Sequence, residues 1–177
     1  MTLYRIVPDS DTCHSLSIID SEHVEMFRQF TGNSLAHSWF PVPVRIFRAE
    51  KSGDFPSLLS HVPIFSERAL QILMPLISNS FEALPLKCDF GKFYAANVLD
   101  VVDCLDHSLA NIERFSSGRI MAIKRYAFKE GCIQGKHIFK IPETAGQDVL
   151  VSDKFKSLIE ENSLLGLHFK QVVTNCH

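Results

Sequence analysis

Apolar and polar positions alternate differently in the two halves of the chain. LYRIV, residues 3 to 7, reads as a short strand stopped by Pro8. Residues 8 to 20 are polar and acidic. Asp20 is placed to cap a short helix, SEHVEMFRQF, with Val24, Phe27 and Phe30 near one face and Gly32 as its left-handed stop. In WFPVPVRIF, residues 39 to 47, Pro41 and Pro43 restrict the backbone to extended forms, predicting an edge strand or extended loop. SGDFPSLLSHVP, 52 to 63, is loop-like. Ser66 then opens a helix, ERALQILMPLISNS, with Glu67 favourable in its first turn. Its apolar residues fall on nearly every side, which predicts burial, and Pro75 should kink or end it.

From residue 93 β signals dominate. Phe93 to Val102 reads as a strand, IMAIKRYAF (120 to 128) as another, KHIFKI (136 to 141) as a third ended by Pro142, and 149 to 151 as a fourth. Ser152 caps a helix, DKFKSLIEEN, with Phe155, Leu158 and Ile159 at helical spacing. Gly166 ends that region, and LHFKQVV, 167 to 173, closes it as a strand. The expected class is α+β: a helix-containing N-terminal half packed on a mainly antiparallel sheet formed by the C-terminal half. No repeat or linker divides the chain, so 1–177 is expected to form a single domain, enough for one sizeable core.

Composition narrows the function classes. At 46% hydrophobic and 21% charged the chain is neither a disordered tail nor a coiled coil. Its longest apolar run, Ile72 to Ile77, is far short of the ~20 residues of a membrane helix. The first residues show no basic start followed by an apolar stretch, so no signal peptide, no membrane partner and a cytoplasmic location are expected. Five cysteines, Cys13, Cys88, Cys104, Cys132 and Cys176, lie far apart without a CxxC, which argues against a disulfide framework or zinc knuckle. The net charge of −2 does not suit a nucleic-acid binder. One stretch is uncompensated: between Arg5 and Arg28 lie Asp9, Asp11, Asp20, Glu22 and Glu25 with no Lys or Arg.

Candidate chemistry centres on FYAANVLDVVDCLD, 93 to 106, where Asp100, Asp103 and Asp106 recur every third residue. On a helix the three would share one face and could hold Mg²⁺. No glycine-rich phosphate loop accompanies them, and the competing reading is a strand that ends in a turn capped by carboxylates. Cys104 with His107 matches no nucleophile signature, and the eight histidines, His14, His23, His37, His61, His107, His137, His168 and His177, show no HxH or HExxH spacing. No catalytic residue, metal or cofactor is therefore expected.

The order of several segments carries a resemblance. GDFPS (53 to 57), FSERALQILMPLI (65 to 77), EALPLKC (82 to 88), KFYAANVLDVVDCLD (92 to 106), HIFKIPE (137 to 143) and VLVSDKFKSLIEENSLLGLHFKQV (149 to 172) follow one another. Over roughly 50 to 173 the chain resembles the bacterial polymorphic-toxin immunity family numbered eleven, formerly a domain of unknown function. YAANVLDVVDCLD and the VSDKF…GLHF pair are its strongest pieces, and residues 1 to 50 match less clearly. The resemblance implies a non-catalytic immunity protein that binds a cognate protein toxin. It carries Asn97, Asp103 and Asp106 over as structural residues, and Gly166 belongs to the same matched motifs. The acidic residues Asp9, Asp11, Asp20, Glu22 and Glu25 are the candidate contact set for a toxin with a basic cleft. Two alternatives remain: a small metal-dependent enzyme using Asp100, Asp103 and Asp106, or a non-catalytic regulatory binding module.

Overall fold

The computed structural model describes residues 2–172. Val173, Cys176 and His177 lie outside them. The class is α+β, but helices and strands are not segregated by half. Strand β1 (Leu3–Pro8) is followed by β2 (Ser15–Ile18), a single 3₁₀ turn at Ser21–His23, and the one-turn helix α1 (Val24–Phe27). Next come β3 (Val42–Arg48), β4 (Ile64–Ser66), α2 (Glu67–Ile77), β5 (Phe81–Lys87) and β6 (Phe93–Val98). The second half supplies β7 (Asn111–Arg114), β8 (Ile120–Arg125), β9 (Ile138–Phe139), β10 (Leu150–Ser152), α3 (Asp153–Glu161) and β11 (Leu167–Gln171).

The expected arrangement, helices in front and one sheet behind, is corrected by the strand order. One four-stranded sheet runs β11-β1-β10-β9, so the N-terminal strand is an interior member of the sheet built otherwise from the C-terminal part. A second sheet, β2-β3-β5-β6-β4, is made entirely from residues before 99, and β7-β8 form a separate hairpin. β3 is not an edge. It pairs with β2 through residues 44–48 and with β5 in parallel through Val42 and Pro43, so its two neighbours use different halves.

Alternation along β6 and β10 lets each of these strands serve two cores. In β6, Phe93 and Ala95 face one core while Ala96 and Val98 face another. In β10, Leu150 and Val151 likewise point to different cores. One core joins both sheets: Ile6, Ile138 and Val151 from the first meet Phe65, Phe81 and Val98 from the second, with α2 and α3 contributing Leu73, Ile77, Phe155 and Ile159. A second core holds Phe27, Phe30, Val44, Leu84 and Phe93. A third holds Leu3, Leu105, Tyr126, Phe139 and Leu150.

Both longer helices start at serine caps. Ser66 Oγ accepts the Ala69 N–H, and Ser152 Oγ accepts the Phe155 N–H. Burial of Phe155 and Ile159 places α3 on the joint core. Helix α2 is more one-sided than its sequence implied: Ala69, Leu73 and Ile77 are buried, whereas Met74 is 40% exposed. Pro75 stays inside it, in the last turn, where the helix ends two residues later anyway.

Candidate functional site

The acidic stretch folds into two different environments. Asp9 closes a turn: its carboxylate accepts the N–H groups of Asp11 and Thr12 and the Thr12 hydroxyl, and His168 Nε2 lies 3.3 Å away. The Thr12 hydroxyl in particular holds Asp9 below the usual carboxylate range. Asp20 caps the 3₁₀ turn, accepting the Glu22 N–H at 3.1 Å. Glu25 pairs with Arg28 at 2.7 Å. Only Asp11 and Glu22 of the five keep side chains without a partner among the described residues. Strand pairing also brings basic residues to this segment, since β3 sets Arg45 against Ser17 Oγ and Arg48 against the Ser10 carbonyl, both at 3.4 Å. The stretch is uncompensated along the chain but partly compensated in space.

Beside it lies an apolar groove of about 380 Å³, lined among others by Leu16, Ile18, Ile19, Val24, Phe47 and Leu58. Ile19 is 57% exposed and Phe47 74% exposed, both unusually open for such large apolar side chains. Phe40, also exposed, meets His23 edge-on with ring centroids 4.9 Å apart. The acidic residues Asp20 and Glu22 are chain neighbours of the lining residues Ile19, Ser21 and Val24.

The three aspartates of the 93–106 segment do not converge on one ligand. Asp100 binds Lys136 Nζ through both oxygens, at 3.1 and 2.9 Å. Asp103 pairs with Lys129 at 3.0 Å and is exposed. Asp106 caps the next turn, accepting the Ser108 N–H at 2.9 Å and the Ser108 hydroxyl at 2.6 Å. β6 ends at Val98, so the three lie in irregular chain beyond it and share no helical face. Among the described residues no group of three or more His, Cys, Asp or Glu is placed to hold a metal ion. Cys104 is buried, and burial pushes its thiol up to about 12, so it carries no thiolate at neutral pH. His107 turns instead to Glu143. Cys13, Cys88, Cys104 and Cys132 are all free thiols.

Asn97 is fully buried on the second-core face of β6. Its Nδ2 donates to the Asn33 carbonyl at 2.8 Å and to Glu82 Oε2 at 3.1 Å. Glu82 also accepts the Leu35 N–H at 2.9 Å and the Ser34 hydroxyl. Burial raises the Glu82 pKa, but these three donors outweigh it and hold the carboxyl below its ordinary value. Gly32, at φ +110°, lets the same loop press against Val101, whose Cγ2 would lie 2.3 Å from an added Cβ. The loop after α1 is thus bolted to the 97–101 segment. Gly166, at φ +114°, likewise lets the chain before β11 pack on the Phe55 backbone.

Sequence reasoning missed Lys140. It is only 1% exposed, with its Nζ donating to the Phe30 carbonyl, and burial brings its pKa down to about 8. The signal was present: Ile138, Phe139, Lys140 and Ile141 form a run with no alternation, and all four are buried.

No curated protein matches the chain. No helix of the described residues is long and apolar enough to cross a membrane. The immunity protein family model Imm11 matches residues 40–174, starting about ten residues before the segment in which the resemblance was legible and taking in all of β3. With most of its length matched, the chain belongs to the Imm11 immunity protein family.

Proposed function

We propose that this chain, acting as one domain in the cytoplasm of the cell that makes the toxin, binds and neutralises a cognate bacterial toxin by stoichiometric occlusion, without catalysis. Family membership over residues 40–174 carries this reading. The apolar groove beside the acidic stretch supports a place for the contact. Stable protein interfaces bury about 1,600 Å² and draw most of their energy from a few aromatic or aliphatic anchors ringed by polar residues. Phe47 and Ile19 suit the anchor role by their exposure. Asp11 and Glu22 suit the rim, where free carboxylates speed the approach of a basic toxin surface. Asp9, Asp20 and Glu25 are already committed within the fold and serve mainly to shape this face. The metal-enzyme alternative draws no support from Asp100, Asp103 and Asp106, each of which is engaged by a different partner.

The test is a titration of the toxin domain encoded beside this chain, reading toxin activity against the molar ratio of the two proteins. Inhibition should rise linearly and finish near equivalence, with native mass spectrometry giving the same ratio. Full protection at a small fraction of one equivalent would mean turnover and would sink the occlusion reading.

A further inference from the structure

A cleft of about 290 Å³ opens between β8, the β1–β11 pair and the turn at 144–148. Pairing register sets Arg5 of β1 directly opposite Lys170 of β11. Directly opposed residues of an antiparallel pair share a face, and like charges so placed repel. Both line the cleft, and Lys124 adds a third cation. The available countercharge is partial. Asp148 accepts from Arg5 Nη1 at 3.3 Å, and Lys124 pairs with Glu113 at 3.2 Å. Lys170 has no carboxylate partner among the described residues.

A second observation is independent of charge. Thr144 lines the same cleft, is only 6% exposed, and its Oγ1 has no hydrogen-bond partner. A buried hydroxyl left unbonded costs free energy, so such groups are rare in folded proteins. Opposed cations and an orphan hydroxyl bordering one concavity are both satisfied by the same kind of ligand.

We propose that this cleft binds a small oxyanion, a phosphate or carboxylate group on a free small molecule, with Arg5 and Lys170 as its cations and the Thr144 hydroxyl as a donor. The volume falls just below the ~300–1,000 Å³ range of ligand sites, which suits a small occupant. Asp148 remains on Arg5 and orients it. Burial raises the Asp148 pKa despite that neighbour. The inference does not rest on the toxin reading.

Isothermal titration of the full chain with inorganic phosphate, and separately with acetate, in chloride buffer of matched ionic strength tests it. Saturable binding of at least one anion is expected, and the preferred anion identifies the group. Lys170→Gln should weaken that binding at least about tenfold, the loss of one charge-assisted contact. Thr144→Val should weaken it severalfold while leaving the melting temperature of the free protein unchanged or higher, because the orphan hydroxyl contributes nothing to the free fold. Lys170 is exposed, so its replacement leaves the core intact. No saturable binding of either anion overturns the proposal. So does binding that both substitutions leave unchanged, since the anion would then sit elsewhere.

Discussion

Lys140→Met shortens a buried side chain by only one heavy atom and removes its charge, and the pH dependence of stability reads out the difference. In the wild type the ammonium is 1% exposed and donates to the Phe30 carbonyl. Burial takes its pKa from 10.5 to about 8. The gap, 10.5 − 8, corresponds to about 3 kcal/mol at roughly 1.4 kcal/mol per pH unit. Between those two values the unfolded chain still holds the proton and the folded chain has released it. The unfolded state binds more protons there, so stability rises with pH across the window. Below pH ~8 both states are charged and the whole penalty stands; above ~10.5 it has vanished. Cys104 and Tyr126 act in the opposite sense. Burial pushes both up to about 12, so the unfolded state loses those protons first and stability falls as pH rises. Both groups are present in either protein, so subtracting the two stability curves isolates Lys140. At neutral pH methionine removes the charge penalty but leaves the Phe30 carbonyl unbonded, a loss of ~1–3 kcal/mol. The two proteins should then lie within ~2 kcal/mol of each other, methionine ahead. Urea unfolding at a series of pH values should show the wild type gaining ~3 kcal/mol on the variant from pH 8 to 10.5. A difference that stays constant over that range would show that Lys140 keeps its ordinary pKa, and the burial argument would fail.

Phe155→Ala, at a fully buried position of the joint core, should cost ~3–5 kcal/mol in urea unfolding; a loss under ~1 kcal/mol would mean α3 is not held by that core. Gly166→Ala should destabilise by more than ~1 kcal/mol, because φ is +114° and the new Cβ would lie 2.7 Å from the Phe55 carbonyl oxygen, and an unchanged melting temperature would contradict that geometry. Reversing Asp11 and Glu22 to Lys should slow association with the cognate toxin, more so at low salt. Equal rates at every ionic strength would take these residues out of the interface. Calorimetric titration with Mg²⁺ or Mn²⁺ should give no micromolar binding, and such binding abolished by Asp103→Ala with the fold intact would revive the enzyme reading.

Local signals were readable along the chain; their assembly was not. Ser66 and Ser152 stood out as helix starts because a capping hydroxyl and an apolar period coincide there, and both caps form. β8 was legible from alternation, and β1 and β11 as short apolar-rich runs bounded by Pro8 and Gly166. β5 was missed because Pro85 interrupts FEALPLK, yet the β3 register reaches only Leu86 and Lys87, so this proline falls just outside that ladder. β2 hides in a polar stretch because only Leu16 of its four residues is buried. The sheet order depends on pairings more than a hundred residues apart, which no local pattern encodes. At the candidate site, Asp9 to Glu25 could be found as an acidic run, but the Arg45 and Arg48 that meet it arrive through β3 pairing. The cleft residues Arg5, Thr144 and Lys170 come from three distant segments and carry no sequence motif.

β1 lies between β10 and β11, with Leu3 opposite Ser152 and Tyr4 opposite Gln171. When residues 3 to 8 leave the ribosome, neither of their partner strands has yet been made. Those backbone groups wait until residue 150 and then residue 171 have been translated, and closing so long a loop is slow compared with local helix formation. The second sheet, complete by Val98, can assemble while synthesis continues. A nascent chain therefore completes the pairing of β1 only after β10 and β11 have been made. The complete fold would lag synthesis by that final closure, and a transcript cut short before β11 yields a chain in which β1 keeps one edge unpaired.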